Sequence, residues 1–151
     1  MLIRDTDGSV IPYDEPEIKD EDAIIRRISI EQTAINADGQ RVISSKAFRA
    51  SSGHNGGMSV DIKELIEEAG VDLVTHVTTP RWLGSLLFNV GDIRHLGSGY
   101  VVGFDPIINQ ESGEVINPFH GEVWGKFTRS DFKEIIQEAK WFVKYPDCEI
   151  C

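Results

Sequence analysis

The spacing of apolar residues changes along this chain, and each change predicts an element. Between 62 and 69, Ile62, Leu65, Ile66 and Ala69 fall at the i, i+3, i+4, i+7 spacing of one helix face. Asp61 with Glu64 three residues later predicts a capping-box start, and Gly70 predicts the stop. A second stripe, Phe132, Ile135, Ile136, Ala139 and then Phe142 or Val143, predicts a helix over 130–143. Thr128 and Asp131 supply its cap, and it ends before Pro146. β-branched segments predict strands at 23–30, 71–79 ("VDLVTHVTT"), 85–90, 99–108 and 120–128. "RVISSKAFRA" (41–50) starts extended and closes as a helical turn around Phe48. "NADGQ" (36–40) is a turn, "GDIRHLGSG" a turn or single helical turn, and "NQESGE" (109–114) a loop.

Several strands separate the two helices, with no regular βαβ alternation. The expected fold is α+β, a mainly antiparallel sheet with two principal helices. Residues 1–20 are polar, hold two prolines and carry Asp5, Asp7, Asp14, Glu15, Glu17 and Asp20. They read as an acidic, loosely held arm draped over a single α+β domain of residues 21–151.

A length of 151 residues suits one domain, and 40% hydrophobic residues suffice for one core. No apolar run approaches the roughly 20 residues of a membrane span, and the N-terminus lacks an apolar signal core. A soluble, cytoplasmic protein without membrane association is expected. The net charge of −10 repels nucleic acid, and no basic run exceeds the Arg26-Arg27 pair. A small nucleotide stays open as a ligand, and a protein partner suits the acidic surface.

Catalytic signatures are few. The stretch "SSGHNGGMSVD" (51–61) resembles a phosphate loop in its glycines, but no lysine follows them. Asp61, as a cap, would occupy the N–H groups a phosphate needs, so a flexible entry to the helix is preferred. His54 in that loop and His120 in "INPFHGEVWG" are the candidate catalytic groups, because histidine moves protons near neutral pH. His120 is held at a strand edge after an Asn-Pro turn. His76 reads as a structural histidine. The four histidines form no compact metal pattern, so neither a metal nor a cofactor is expected. Cys148 and Cys151 make a C-x-x-C at the chain end, read as structural or incidental rather than zinc-binding or redox-active. On an early strand Arg26 and Arg27 face opposite ways. One of them needs an anionic partner, either Asp61, Asp105 or a bound anion, with a structural ion pair preferred.

The frame "IIRRIS…SSKAFRASS…MSVDI…GYVVGFDP…NPFHGEVWG", over roughly residues 23–128, resembles a set of small bacterial proteins of accessory or defence type. The resemblance implies shared positions at Arg26, Arg27, Ser44, Ser45, Phe48, Ser59, Asp61 and His120, and carries no activity with it. The chain departs from that frame by the glycines and His54 ahead of Ser59.

Two functions follow as expectations. The first is an acidic accessory or protein-binding module of a bacterial defence or toxin-type system. The second is a small nucleotide- or NAD-handling enzyme of ADP-ribosyl-transfer-like chemistry. In it an arginine would bind the diphosphate, a serine would shape the nicotinamide pocket and a downstream histidine or glutamate would act as acid or base. Its ligand-binding residues would be Arg26, Arg27, Ser44, Ser45, Ser59 and Asp61.

Overall fold

The structure, a computed structural model, describes residues 1–51, 53–97 and 99–151. Ser52 of the glycine loop and Ser98 of the "GSG" turn lie outside the described residues. In chain order the strands are β1 (Ala23–Ile28), β2 (Thr33–Ile35), β3 (Arg41–Ile43), β4 (Met58–Ile62), β5 (Gly84–Asn89), β6 (Val101–Phe104), β7 (Ile107–Ile108), β8 (Val115–Asn117), β9 (His120–Trp124), β10 (Lys140–Val143) and β11 (Cys148–Glu149). The helices are α1 (Lys63–Glu68), α2 (Leu73–Val77), α3 (Val90–Arg94) and α4 (Arg129–Glu138). Six strands form one antiparallel sheet in the order β10-β5-β1-β4-β9-β6. A small sheet of order β11-β3-β2, with β11 parallel to β3, and the β7–β8 hairpin complete the strands. The fold is α+β with a mainly antiparallel sheet, as the sequence predicts.

Alternation along the strands gives the main sheet two unlike faces. Ile24, Ile28, Val60, Ile62, Leu86, Phe88, Val102 and Val123 point to one side and pack with Phe48, Ile93 and Ile135 into the core. On the other face stand Arg27, Ser59, Asp61, His120 and Glu122, in register across β1, β4 and β9.

Three element predictions need correction. Asp61 does not cap a helix: it lies within β4, opposite Ile25, with only 3% of its surface exposed. Helix α1 begins after Ile62 with no side-chain cap, and the Glu64 carboxylate instead accepts the Ala23 N–H at 3.0 Å. Gly70 does follow the helix, in the left-handed region at φ +71° that favours glycine. The predicted strand at 71–79 contains α2. Asp72 accepts the Thr75 N–H at 2.9 Å, and this cap favours a helical turn over the extended preference of the valines and threonines. The predicted helix over 130–143 ends at Glu138. Ala139 is extended (ψ 137°), and Lys140–Val143 leaves the helix to pair with the edge of β5, so Phe142 and Val143 belong to a strand. Its predicted cap is present: Thr128 Oγ1 accepts the Asp131 N–H at 3.1 Å.

Residues 1–20 are fastened to the sheet rather than loosely held. Val10 and Ile18 are each 2% exposed. The arm runs along β6, the last strand of the sheet. The Glu15 N–H donates to the Val102 carbonyl, the Val102 N–H to Asp14 Oδ1 and the Phe104 N–H to the Tyr13 hydroxyl oxygen. Arg94 clamps it further through Asp14, Asp20 and the Glu15 carbonyl. Among the described residues no helix is long and apolar enough to cross a membrane.

Candidate functional site

The polar face of the sheet carries a short row of functional groups. His120 and Glu122 are two apart on β9 and so share a face. Antiparallel pairing sets Asp61 opposite His120 and Ser59 opposite Glu122. Asp105 follows β6 directly, and its N–H donates to the His120 carbonyl at 3.0 Å. That pairing brings the Asp105 carbonyl oxygen within 2.6 Å of His120 Nδ1. A carbonyl oxygen can only accept, so Nδ1 carries a proton toward it and Nε2 is the nitrogen left toward Glu122. Nε2 stands 4.0 Å from Glu122 Oε1.

Glu122 is 7% exposed. Its Oε1 accepts the Ser59 hydroxyl at 3.2 Å, while Oε2 is buried and finds no donor among the described residues. Burial, and then the negative charge of Asp105, push this carboxyl up to about 7, against the pull of Ser59 and Arg26. Asp105 is raised too, by burial, against the opposing charges of His120 and Arg4. The closeness of the chain around Glu122 depends on Gly57, where a Cβ would stand 2.8 Å from Oε2. One donor atom each from Asp105, His120 and Glu122 lies within 4.8 Å of the other two, which is the spacing of a three-ligand metal set.

Two clefts meet at this cluster. Arg4, His54, Asn55, Asp105, Gln110 and Glu122 line one of them. Arg26, Arg27, Ser59, Asp61, Trp82 and His120 line the other, and Ile107 borders both. Five residues singled out in the sequence therefore come together. The two arginines in that group are already engaged. Arg27 donates to both oxygens of Asp61, at 2.8 and 3.1 Å, which realises the ion pair preferred from the sequence. Arg26 donates to the carbonyls of Ala47 and Ser59 at 2.8 Å each. Burial pulls its pKa down to about 10, with Glu122 and Asp61 opposing.

The other candidates lie apart. His54 is exposed at the rim of the first cleft, 3.4 Å from Asp5. Ser44 caps a 3-10 turn by accepting the Lys46 N–H, and Ser45 is exposed beside it. Both line a third cleft with Arg49, Arg129 and Lys133. His76 packs edge-on against Phe119, with Nε2 3.5 Å from Asp61. Cys148 is buried, Cys151 is exposed, and both thiols are free. Sequence reasoning missed Glu122 and gave Asp105 only as an arginine partner. The available signal was His-x-Glu on a predicted strand, which puts an imidazole and a carboxylate on one face.

Compared with known proteins, the chain matches no family model, no curated protein and no solved structure.

Proposed function

We propose that this protein is a small hydrolytic enzyme for a polar substrate, with Asp105, His120 and Glu122 holding and activating the attacking water. One observation carries the reading: Glu122 Oε2 is buried with no hydrogen-bond partner among the described residues, and one ligand atom each of Asp105, His120 and Glu122 lies within 4.8 Å of the other two. A water there donates to two of them and exposes its oxygen to the cleft. Loss of one proton to a neighbouring base lets that oxygen add to an electrophilic centre, and the same proton then goes to the leaving group. Arg4, steadied by the Gly8 and Pro106 carbonyls, supplies positive charge for an anionic substrate oxygen. His54 and Asn55 stand on the same cleft and are read as contacts to the distal part of the substrate.

The test is turnover by the purified chain on a panel of phosphate esters, carboxylic esters, nucleotides and NAD. Glu122→Gln and His120→Asn are each expected to lower the rate about 100-fold or more with the melting temperature little changed. Equal rates in the wild type and both variants would defeat the reading.

A second reading, an accessory protein-binding module in a bacterial defence setting, is favoured by the β7–β8 hairpin. There Ile107, Val115 and Ile116 stand exposed beside the clefts of a chain with net charge −10. The ADP-ribosyl-transfer alternative keeps Ser59 and His120 in an open cleft, while Arg26 and Arg27 are spent on fold contacts. Two free thiols suit a cytoplasmic setting.

A further inference from the structure

We propose that Asp105, His120 and Glu122 form a binding site for one divalent first-row transition-metal ion. The site is the cluster of the hydrolytic reading, but ion binding stands or falls separately from turnover. Four observations point to it.

The first is the missing partner. Glu122 is more than nine-tenths buried, and its Oε2 has no hydrogen-bond partner among the described residues. Buried carboxylate oxygens are normally satisfied, because an unmet acceptor carries its desolvation cost alone. Ser59 serves only Oε1. Arg4 is 4.0 Å from Asp105 and donates to the carbonyls of Gly8 and Pro106, so it does not supply Oε2. Arg26 is likewise taken by Ala47 and Ser59.

The second is the histidine tautomer. Donation from Nδ1 to the Asp105 carbonyl fixes the ring and aims Nε2 toward Glu122. A ligating histidine is held in this way by an outer partner on its other nitrogen. Third, the donor set sits on strands rather than loose loops. His120 and Glu122 are fixed by pairing on both sides of β9, and Asp105 by its bond to the His120 carbonyl. Fourth, the cleft lined by Asp105 and Glu122 admits water as further ligands.

One imidazole nitrogen with two carboxylates suits Mn²⁺, Fe²⁺ or Zn²⁺ better than the all-oxygen shells of Ca²⁺ or Mg²⁺. His120 and Glu122 are two apart on β9, but Asp105 comes from the end of β6, so the sequence shows only part of the set.

The test uses the full chain, stripped with chelator and titrated with Mn²⁺ alone, followed by electron paramagnetic resonance, and with Zn²⁺ alone, followed by calorimetry. One ion per chain is expected. Glu122→Gln, His120→Asn and Asp105→Asn should each weaken binding about 10-fold or more, and the ion should raise the melting temperature of the wild type but not of Glu122→Gln. A Cys148→Ser, Cys151→Ser double variant should bind as the wild type does. No saturable binding overturns the proposal, as does binding that survives all three ligand variants or disappears with the cysteines. Saturable binding without turnover keeps the ion site and removes the hydrolase. Turnover without saturable binding keeps the hydrolase and removes the ion.

Discussion

At the scale of single residues, burial decides which polar groups serve the fold and which remain available. Asp61 and Glu122 are both buried carboxylates on the same sheet face, yet their situations are opposite. Asp61 is met by the fork of Arg27. Removing Arg27 leaves the buried Asp61 carboxylate with only His76 Nε2, 3.5 Å away, so Arg27→Ala should cost about 3 kcal/mol in chemical denaturation. The double change Arg27→Leu, Asp61→Leu should cost less than that single change, because no charge is stranded. Glu122 has no such partner, and its raised pKa means that the folded state holds the proton more tightly than the unfolded chain. In metal-free protein the stabilisation from this group is therefore present below about pH 4.5 and fades as pH rises toward about 7. Denaturation midpoints measured across that window should fall in the wild type relative to Glu122→Gln, which stays neutral. Parallel profiles would show that Glu122 is not buried as described. The Arg27 pair was legible because strand alternation forces one of two adjacent arginines toward an anion. The orphan oxygen of Glu122 was not, because its surroundings come from β4, the end of β6 and Gly57, all distant in sequence.

At the scale of elements, partners overrode local preference wherever a strand edge was open. Residues 140–143 continue the apolar stripe of α4, but the edge of β5 draws them into a strand. Likewise the arm of residues 1–20, which has no periodicity of its own, follows the edge of β6. Covering an edge in this way blocks pairing with another chain. The sequence could show the arm's acidity but not its track, because its anchors, Tyr13 and Asp14, bond to backbone amides that any strand offers. Arg94 is the side chain that gathers the arm's end. Arg94→Ala should therefore let a protease cut within residues 1–20 sooner, with the remainder of the chain still resistant. Equal cleavage times for the variant and the wild type would assign the anchoring to Tyr13 and Asp14 instead. Helix α2 teaches the same lesson locally. One aspartate cap at Asp72 outweighed a run of valines and threonines whose preference for strands depends on a neighbour to pair with.

At the scale of the whole molecule, the main sheet sets an apolar face against a polar one. One face is apolar and meets the helices; the other holds the polar row, and the order β5-β1-β4-β9 sets two strands between Phe88 and Glu122. Changes on the two faces should therefore separate. Phe88 is 1% exposed and packs edge-on against Phe48 at 5.8 Å. Phe88→Ala should cost about 3–5 kcal/mol of folding stability, the range for emptying an aromatic site in a core. The fraction that remains folded should bind Mn²⁺ with the affinity of the wild type, because no atom of the Asp105, His120 and Glu122 set touches the space that is lost. Glu122→Gln should do the reverse: ion binding falls while the midpoint of unfolding near pH 7 holds or rises, since a buried carboxylate that lacks a donor has become a neutral amide. Thermal unfolding and ion titration on the same two variants measure both halves. If Phe88→Ala weakened the ion site as strongly as it weakened the fold, the faces would be coupled through the sheet, and the polar row could no longer be treated as a site resting on a rigid support.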